Sequence, residues 1–210
     1  CDAAEISDEF LVFIAAVHRT YGRVFLRSAR PWIRETDLGP RLRWILRHQR
    51  HHMGWKNYVK LMAWALEGYD AVVVLESDTV VLNALDSIFA CLGRERLRFI
   101  SVVDASAPMT GGSLGLVPSM ATFEAMREAL AADLYSHATG WNKSGQFMPY
   151  AAGSFRGFSV EDAQGFFFWF FHIAHGKPWS LESVLSAQTD SCRFVYTEIG
   201  RRLPELQHLA

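Results

Sequence analysis

A short apolar run followed at once by two carboxylates points to the fold of this chain. Residues 71–75 read AVVVL, and Glu76, Ser77 and Asp78 come directly after them. Continuous β-branched and apolar sequence of this kind is typical of a parallel strand covered on both faces. In an open α/β sheet, ligands gather outside the carboxyl ends of the strands. We therefore expect an interior strand over 71–75, with the acidic segment emerging at its end into a cleft.

Helical and strand patterns alternate along the rest of the chain. Apolar residues at three- and four-residue steps predict helices over 56–66 and after Ser119, the expected N-cap of a helix whose apolar stripe contains Phe123, Met126 and Leu130. Apolar runs predict strands over 99–103 and 111–117. Residues 31–54 are predicted to be irregular, and the run 10–17 fits a strand or a helix equally well. This alternation predicts an α/β sandwich around a mainly parallel sheet.

The composition indicates one domain without a strong electrostatic field. The chain has 210 residues, of which 50% are hydrophobic and 20% charged, so residues 1–210 are predicted to form a single domain. Its 21 Lys and Arg residues balance 22 Asp and Glu residues, which argues against a dedicated nucleic-acid binder. The basic cluster at 41–52 is interpreted as a solvated face, with a phosphate or acceptor contact as the alternative.

Neither a membrane span nor a cysteine-based site is predicted. The aromatic run 166–171 lies in an apolar stretch well short of the ~20 residues that a bilayer requires. We interpret it as core packing, with Trp169 as part of a platform for a sugar acceptor as the alternative. Cys1, Cys91 and Cys192 are widely spaced and form no CxxC pair, so they suggest neither a disulfide framework nor a zinc site. The cellular compartment stays open.

The two carboxylates after residues 71–75 suit a divalent cation. Residues i and i+2 leaving a strand point to the same side, so Glu76 and Asp78 can both reach one Mn²⁺ or Mg²⁺, hard cations that prefer oxygen ligands. A metal held there would bind a diphosphate and neutralise the charge that develops on a leaving nucleoside diphosphate. The alternative is a turn whose acidic residues cap the next element, and spacing alone does not separate the two.

The surrounding sequence resembles glycosyltransferase family 8, the glycogenin-like enzymes with a GT-A fold. Residues 58–89 match most fixed positions of the pattern KLxxWxLxxYDxVVxLDxDTxVLxNxDxLF, including Lys60, Trp64 and Asp78. A second family block, a strand of the form N-S/G-G-x-x-x-L/V-x-P-S before a helix, is echoed by residues 110–119 (TGGSLGLVPS). Together the two blocks cover roughly residues 56–135.

This resemblance implies a metal-dependent, retaining transferase. The implied donor is a nucleotide sugar, which is a UDP-sugar in this family. The implied acceptor is a glycan, a protein or a small molecule, and the implied cofactor is Mn²⁺ (or Mg²⁺). Glu76 and Asp78 are the implied metal ligands. The implied donor contacts are Lys60, Glu76, Ser77, Asp78, Gly111 and Gly112, the glycines because a side chain there would intrude on the sugar. For Lys60, an ordinary helix-surface lysine is the alternative.

Two further family motifs lie too close together here to keep their usual places at once. Residues 161–165 (EDAQG) resemble the family's D-Q-G block, which makes Asp162 and Gln164 the candidate catalytic residues. Residues 172–179 (HIAHGKPW) resemble a block whose histidine binds the metal and whose lysine meets the diphosphate. That block makes His172 a candidate metal ligand, with His175 as the alternative, and Lys177 a donor contact. For both histidines, an ordinary position at a helix end is also open.

Three departures from the family pattern support a second hypothesis. Glu76 stands where the family usually has aspartate, Thr110 replaces the usual asparagine, and the first nucleotide-binding strand is expected to be missing or divergent. The second hypothesis is a catalytically inactive relative that binds a sugar or a partner. A third, a haloacid-dehalogenase-like phosphatase, requires an aspartate nucleophile at the position of Glu76 and is disfavoured.

Overall fold

A computed structural model describes residues 33–48, 54–76, 79–81, 84–94, 99–101, 109, 111–144 and 161–174. After a 3₁₀ turn at Glu35–Asp37, the helices are α1 (Pro40–His48), a long 3₁₀ helix (Gly54–Ala65), α2 (Asp86–Arg94), α3 (Met120–Ala131) and α4 (Ala163–Phe168), which continues into a π-helix (Trp169–Ile173). The strands are β1 (Val72–Leu75), β2 (Phe99–Ser101), β3 (Ser113–Leu116), β4 (Tyr135–Ser136) and β5 (Gly140–Trp141).

Three of the strands form a sheet in which β3 lies between β1 and β2. Leu116 of β3 is opposite both Val72 of β1 and Phe99 of β2, and both pairings are antiparallel. β1 and β2 therefore run in the same direction, and their carboxyl ends lie at the edge where β3 begins. The predicted α/β class is confirmed. The predicted mainly parallel sheet is not, because every strand pair within the described ranges is antiparallel.

The direction of β3 follows from the short connection that precedes it. Only residues 102–112 separate β2 from β3. Neighbouring parallel strands need a crossover of about a dozen or more residues, usually with a helix, whereas antiparallel strands do not. The sequence between these strands contains Pro108 and no apolar periodicity typical of a helix. Two successive strand patterns without a helical pattern between them were the signal for an antiparallel pair.

β1 is less buried than its sequence predicts. Val72, Val73 and Val74 are partly buried, and Leu75 is 38% exposed. In the described sheet β1 is an edge strand. The prediction of an interior strand covered on both faces is therefore wrong for this part of the chain, although the position of the strand is confirmed.

The helix predicted over 56–66 forms as a 3₁₀ helix. Tyr58, Leu61 and Trp64 are fully buried and recur every three residues. A 3₁₀ helix has three residues per turn, so this spacing places all three side chains on one face. The helix thus presents one apolar ridge to the core.

The helix predicted after Ser119 is confirmed with its cap. The Ser119 hydroxyl accepts a hydrogen bond from the Thr122 backbone N–H at 3.2 Å, and α3 begins at the next residue. Phe123, Met126 and Leu130 are all buried, as their spacing predicts.

The prediction of irregular structure over 31–54 is wrong for α1. Leu42, Ile45 and Leu46 form its buried stripe, and Pro40 is its first residue, a position where proline is favoured. On the exposed side, Arg47 makes a two-pronged ion pair with Glu35, with Nε–Oε1 at 2.5 Å and Nη2–Oε2 at 3.1 Å. The described part of the basic cluster is therefore a solvated helix face.

The core is built mainly from aromatic side chains. Trp64 of the 3₁₀ helix lies against Phe99 of β2, Phe167 of α4 and Phe171 of the π-helix. Residues 166–170 are all buried, which supports their interpretation as core packing. Within the described ranges, no helix combines the length and hydrophobicity needed to cross a bilayer. Cys91, buried in α2, is disulfide-bonded, which its spacing from the other cysteines did not indicate.

Gly39 precedes α1 at a point where no side chain fits. Asp133 has a left-handed backbone (φ 57°) and caps α1 by accepting a hydrogen bond at Oδ1 from the Leu42 N–H, at 3.0 Å. A Cβ at Gly39 would lie 2.6 Å from the Asp133 Cβ and 2.7 Å from its Cα. We expect Gly39→Ala to lower the free energy of unfolding by about 2 kcal/mol, because backbone has to move to relieve the overlap.

Chemical denaturation measures this effect, and Gly68→Ala is the matched control. A Cβ at Gly68 meets nothing within 4 Å, so that variant is expected to unfold like the wild type. If Gly39→Ala is as stable as Gly68→Ala, the packing of Asp133 against Gly39 is wrong.

Candidate functional site

The carboxyl end of β1 meets the amino end of β3 at one edge of the sheet. Leu75 pairs with Ser113, and the next pair along the ladder joins Glu76 to Gly112, whose carbonyl oxygen accepts a hydrogen bond from the Glu76 N–H at 3.1 Å. This pairing therefore holds the backbone of Glu76, a predicted metal ligand, beside Gly112, one of the two predicted glycines.

Lys60 reaches this edge from the 3₁₀ helix. Its Nζ forms an ion pair with Oε1 of Glu76. The Lys60 side chain is 15% exposed, whereas that of Glu76 is 41% exposed. The alternative of a solvated surface lysine is therefore not supported, because the side chain is largely covered and its ammonium is held against a carboxylate.

Gly111 and Gln164 complete the cluster. A Cβ at Gly111 would lie 3.0 Å from Lys60 Nζ and 3.9 Å from the Gln164 Cβ. Gln164 is in the first turn of α4, so its position depends on how that helix begins. The predicted close backbone approach at Gly111 is present, and in this structure the group that approaches it is the Lys60 ammonium.

Asp162, the other predicted catalytic residue, has a structural contact. Its Oδ1 accepts a hydrogen bond from the Gly165 N–H at 3.1 Å and so caps α4. An aspartate one residue before a helix is a common N-cap, and this signal was present in the sequence. The catalytic role of Asp162 stays a prediction.

A buried glutamate that the motifs did not single out anchors the start of α4. Glu161 is 4% exposed. The Tyr58 hydroxyl donates a hydrogen bond to its backbone oxygen at 2.5 Å, and the Tyr135 hydroxyl donates to its Oε2 at 3.3 Å. Because Tyr58 and Lys60 share the 3₁₀ helix, this contact ties the helix that carries Lys60 to the helix that carries Gln164.

Both tyrosines remain hydrogen-bond donors over the physiological range. Burial, reinforced by the negative charges of Glu161 and Asp162, raises the pKa of Tyr58 and of Tyr135 above the ordinary phenol value. A phenolate beside a buried carboxylate would add a second negative charge to a poorly solvated region. Neither tyrosine hydroxyl is therefore expected to lose its proton near neutral pH.

Several predicted site residues lie outside the described part of the chain. These are Ser77, Asp78 and Lys177, together with Thr110, the alternative ligand His175, and the side chain of His172. Of the three predicted metal ligands, Glu76 alone has a described side chain. No group of three His, Cys, Asp or Glu side chains that could hold a metal occurs in the described ranges. One carboxylate paired with a lysine does not make a metal site by itself.

The cluster formed by Lys60, Glu76, Gly111 and Gln164 combines groups that suit a phosphorylated ligand. It contains the ammonium of a largely buried lysine, the carboxylate of a partly exposed glutamate and the main chain of a glycine. It also contains a side-chain amide, which can donate and accept hydrogen bonds. A lysine ammonium binds phosphate as a compact point charge.

Comparisons of the chain with protein-family models, with curated proteins and with solved structures find no match. The family resemblance therefore stays a prediction from the motifs.

Proposed function

We propose that this chain is a metal-dependent glycosyltransferase with a GT-A-type α/β/α sandwich. It transfers a sugar from a nucleotide sugar, a UDP-sugar by the motif resemblance, to a glycan, protein or small-molecule acceptor, with retention of configuration. The observation that carries this proposal is that residues from three separate motifs, Lys60 with Glu76 from the first, Gly111 from the second and Gln164 from the third, lie together at one edge of the sheet.

In this proposal each residue of the cluster has a distinct task. Lys60 holds the diphosphate of the donor, and the bare main chain at Gly111 and Gly112 leaves room for the donor beside it. Gln164 offers its amide to the sugar. Lys177 adds a second cation to the diphosphate, and Asp162 completes the catalytic pair with Gln164.

The proposed cation is Mn²⁺ or Mg²⁺, held by Glu76 and Asp78 with His172 as a further ligand and Ser77 beside the donor. When bound, it neutralises the charge on the leaving nucleoside diphosphate. Glu76 fits this role, because its carboxylate supplies the oxygen ligands that these cations prefer. The residue lies at the end of the strand, and its side chain is 41% exposed.

A screen of UDP- and GDP-sugars with Mn²⁺ tests the proposed function directly. Ligands that bind only the folded state raise its apparent stability by mass action. We expect at least one UDP-sugar to raise the melting temperature in the presence of Mn²⁺ and to be hydrolysed or transferred by the purified chain. If no nucleotide sugar changes the melting temperature with or without Mn²⁺, the proposal fails.

Lys60→Met removes the ammonium and keeps much of the side-chain volume. We expect UDP binding in the presence of Mn²⁺ to weaken by about tenfold to thirtyfold, because a hydrogen bond to a charged group contributes ~1.5–2 kcal/mol. Isothermal titration calorimetry measures this change. Lys56→Met is the matched control, since Lys56 lies on the same helix and is exposed, and it is expected to bind like the wild type. Equal weakening by both variants would assign the effect to net charge instead of to Lys60.

The second candidate function is a catalytically inactive sugar- or partner-binding protein. The observations that favour it are the ion pair between Glu76 and Lys60 and the hydrogen bond by which Asp162 caps α4. Nucleotide-sugar binding without Mn²⁺-dependent hydrolysis or transfer would select this candidate over the enzyme.

A further inference from the structure

The ion pair between Lys60 and Glu76 has one covered partner and one accessible partner. Lys60 is 15% exposed at its side chain and Glu76 is 41% exposed. The Glu76 backbone is fixed by its hydrogen bond to Gly112, but its carboxylate has open solvent beside it. Of the two charged groups, the Glu76 carboxylate is the one that can move away without passing through the protein interior.

The surroundings of the ammonium limit how an anion can reach it. A Cβ at Gly111 would lie only 3.0 Å from Nζ, so the main chain is close on that side, and Gln164 lies next to the same point. The carboxylate of Glu76 occupies a further position around Nζ. A phosphate that enters the cluster therefore competes with the Glu76 carboxylate for the Lys60 ammonium.

We propose that Glu76 is an internal competitor that must release Lys60 before a phosphate can bind there. A carboxylate and a phosphate close to one ammonium repel each other, so the phosphate binds well only when the negative charge of Glu76 is removed or neutralised. This inference rests on the proposed phosphate-binding role of Lys60. It adds that Glu76 lowers the affinity for an anion in the absence of metal.

The competition predicts opposite effects of one substitution under two conditions. Glu76→Gln keeps the size of the side chain and its ability to accept a hydrogen bond from Lys60, but removes the charge. Without metal, loss of the charge removes the repulsion between residue 76 and the anion, so the anion binds more tightly. With Mn²⁺, loss of the proposed metal ligand makes UDP binding weaker.

Calorimetric titration of inorganic pyrophosphate in EDTA tests the competition. We expect Glu76→Gln to bind pyrophosphate about tenfold more tightly than the wild type. Glu124→Gln is the control, because it removes one negative charge from an exposed ion pair with Arg127 on α3 and is expected to bind like the wild type. Glu76→Ser is a second variant that removes the same charge, and thermal melting verifies that each variant is folded.

Each outcome has a definite meaning. Tighter binding by Glu76→Gln and Glu76→Ser, but not by Glu124→Gln, supports the competition. Binding equal to or weaker than that of the wild type, or no measurable binding by any variant, overturns it. UDP titration with Mn²⁺ then tests the proposed function separately. If Glu76→Gln binds pyrophosphate more tightly in EDTA but leaves the Mn²⁺ dependence of UDP binding unchanged, the competition stands and the metal role of Glu76 fails.

Discussion

Binding of UDP in the presence of Mn²⁺ is expected to weaken by about 100-fold or more when Asp78 is replaced with asparagine. Asn keeps the shape of the side chain but removes the charge that offsets the cation. Asp78 is two residues beyond Glu76, whose side chain stands at the edge of the sheet beside Lys60. On their sequence spacing, the two carboxylates are proposed to share one cation, which prefers oxygen ligands. Titration of UDP with and without Mn²⁺ measures the effect.

Asp70→Asn is the matched control for this experiment. Asp70 is an exposed carboxylate just before β1, so its loss changes the net charge equally and is expected to leave UDP binding unchanged. The melting temperature of Asp78→Asn without ligand is expected to stay close to that of the wild type. If wild type and Asp78→Asn bind UDP equally with and without Mn²⁺, the acidic segment is not a metal site. The inactive binding protein then replaces the enzyme as the better hypothesis.

Replacing Trp64 with alanine is expected to lower the free energy of unfolding by about 4 kcal/mol. Trp64 is 1% exposed. Its ring centroid lies 5.7 Å from that of Phe99, 5.3 Å from that of Phe167 and 5.5 Å from that of Phe171. The substitution removes the ring that joins the 3₁₀ helix, β2 and the helix after Asp162, and it leaves a cavity among them. Chemical denaturation followed by fluorescence or circular dichroism measures the loss.

Trp44→Ala separates burial from the general effect of losing a tryptophan. Trp44 is 59% exposed and stacks on the ring of His48 on the same helix, with centroids 4.6 Å apart. We expect that variant to change the free energy of unfolding by less than ~1 kcal/mol. Comparable losses for Trp44→Ala and Trp64→Ala would contradict the described core.

The sequence predicted those elements of the fold that depend on neighbouring residues. The helix after Ser119 needs only a capping side chain and an apolar stripe, and both are visible along the chain. The strand over 72–75 has a strong apolar pattern and was located correctly. Helix α1 was missed because the two glycines and two prolines of residues 31–54 outweighed the stripe of Leu42, Ile45 and Leu46.

The sequence likewise predicted the residues of the candidate site but not the contacts between them. Family-like motifs named Lys60, Glu76, Gly111, Gly112 and Gln164 from the sequence alone. No motif predicted that Glu76 pairs with Lys60 or that Glu161 is held by two tyrosines. These contacts depend on the relative placement of separate helices and strands.

By itself the sequence determined the α/β class, the position of β1, the capped helix α3 and the residues that the motifs single out, because each depends on side chains within a few positions of one another. Only the tertiary structure decided the placement of β3 between β1 and β2 in the described sheet and the cluster around Lys60. The order of strands in a sheet is a relation between whole strands, which local periodicity does not encode. The ion pair of Lys60 with Glu76 and the placement of Gln164 near Gly111 join different elements, so both depend on how the core packs these elements together.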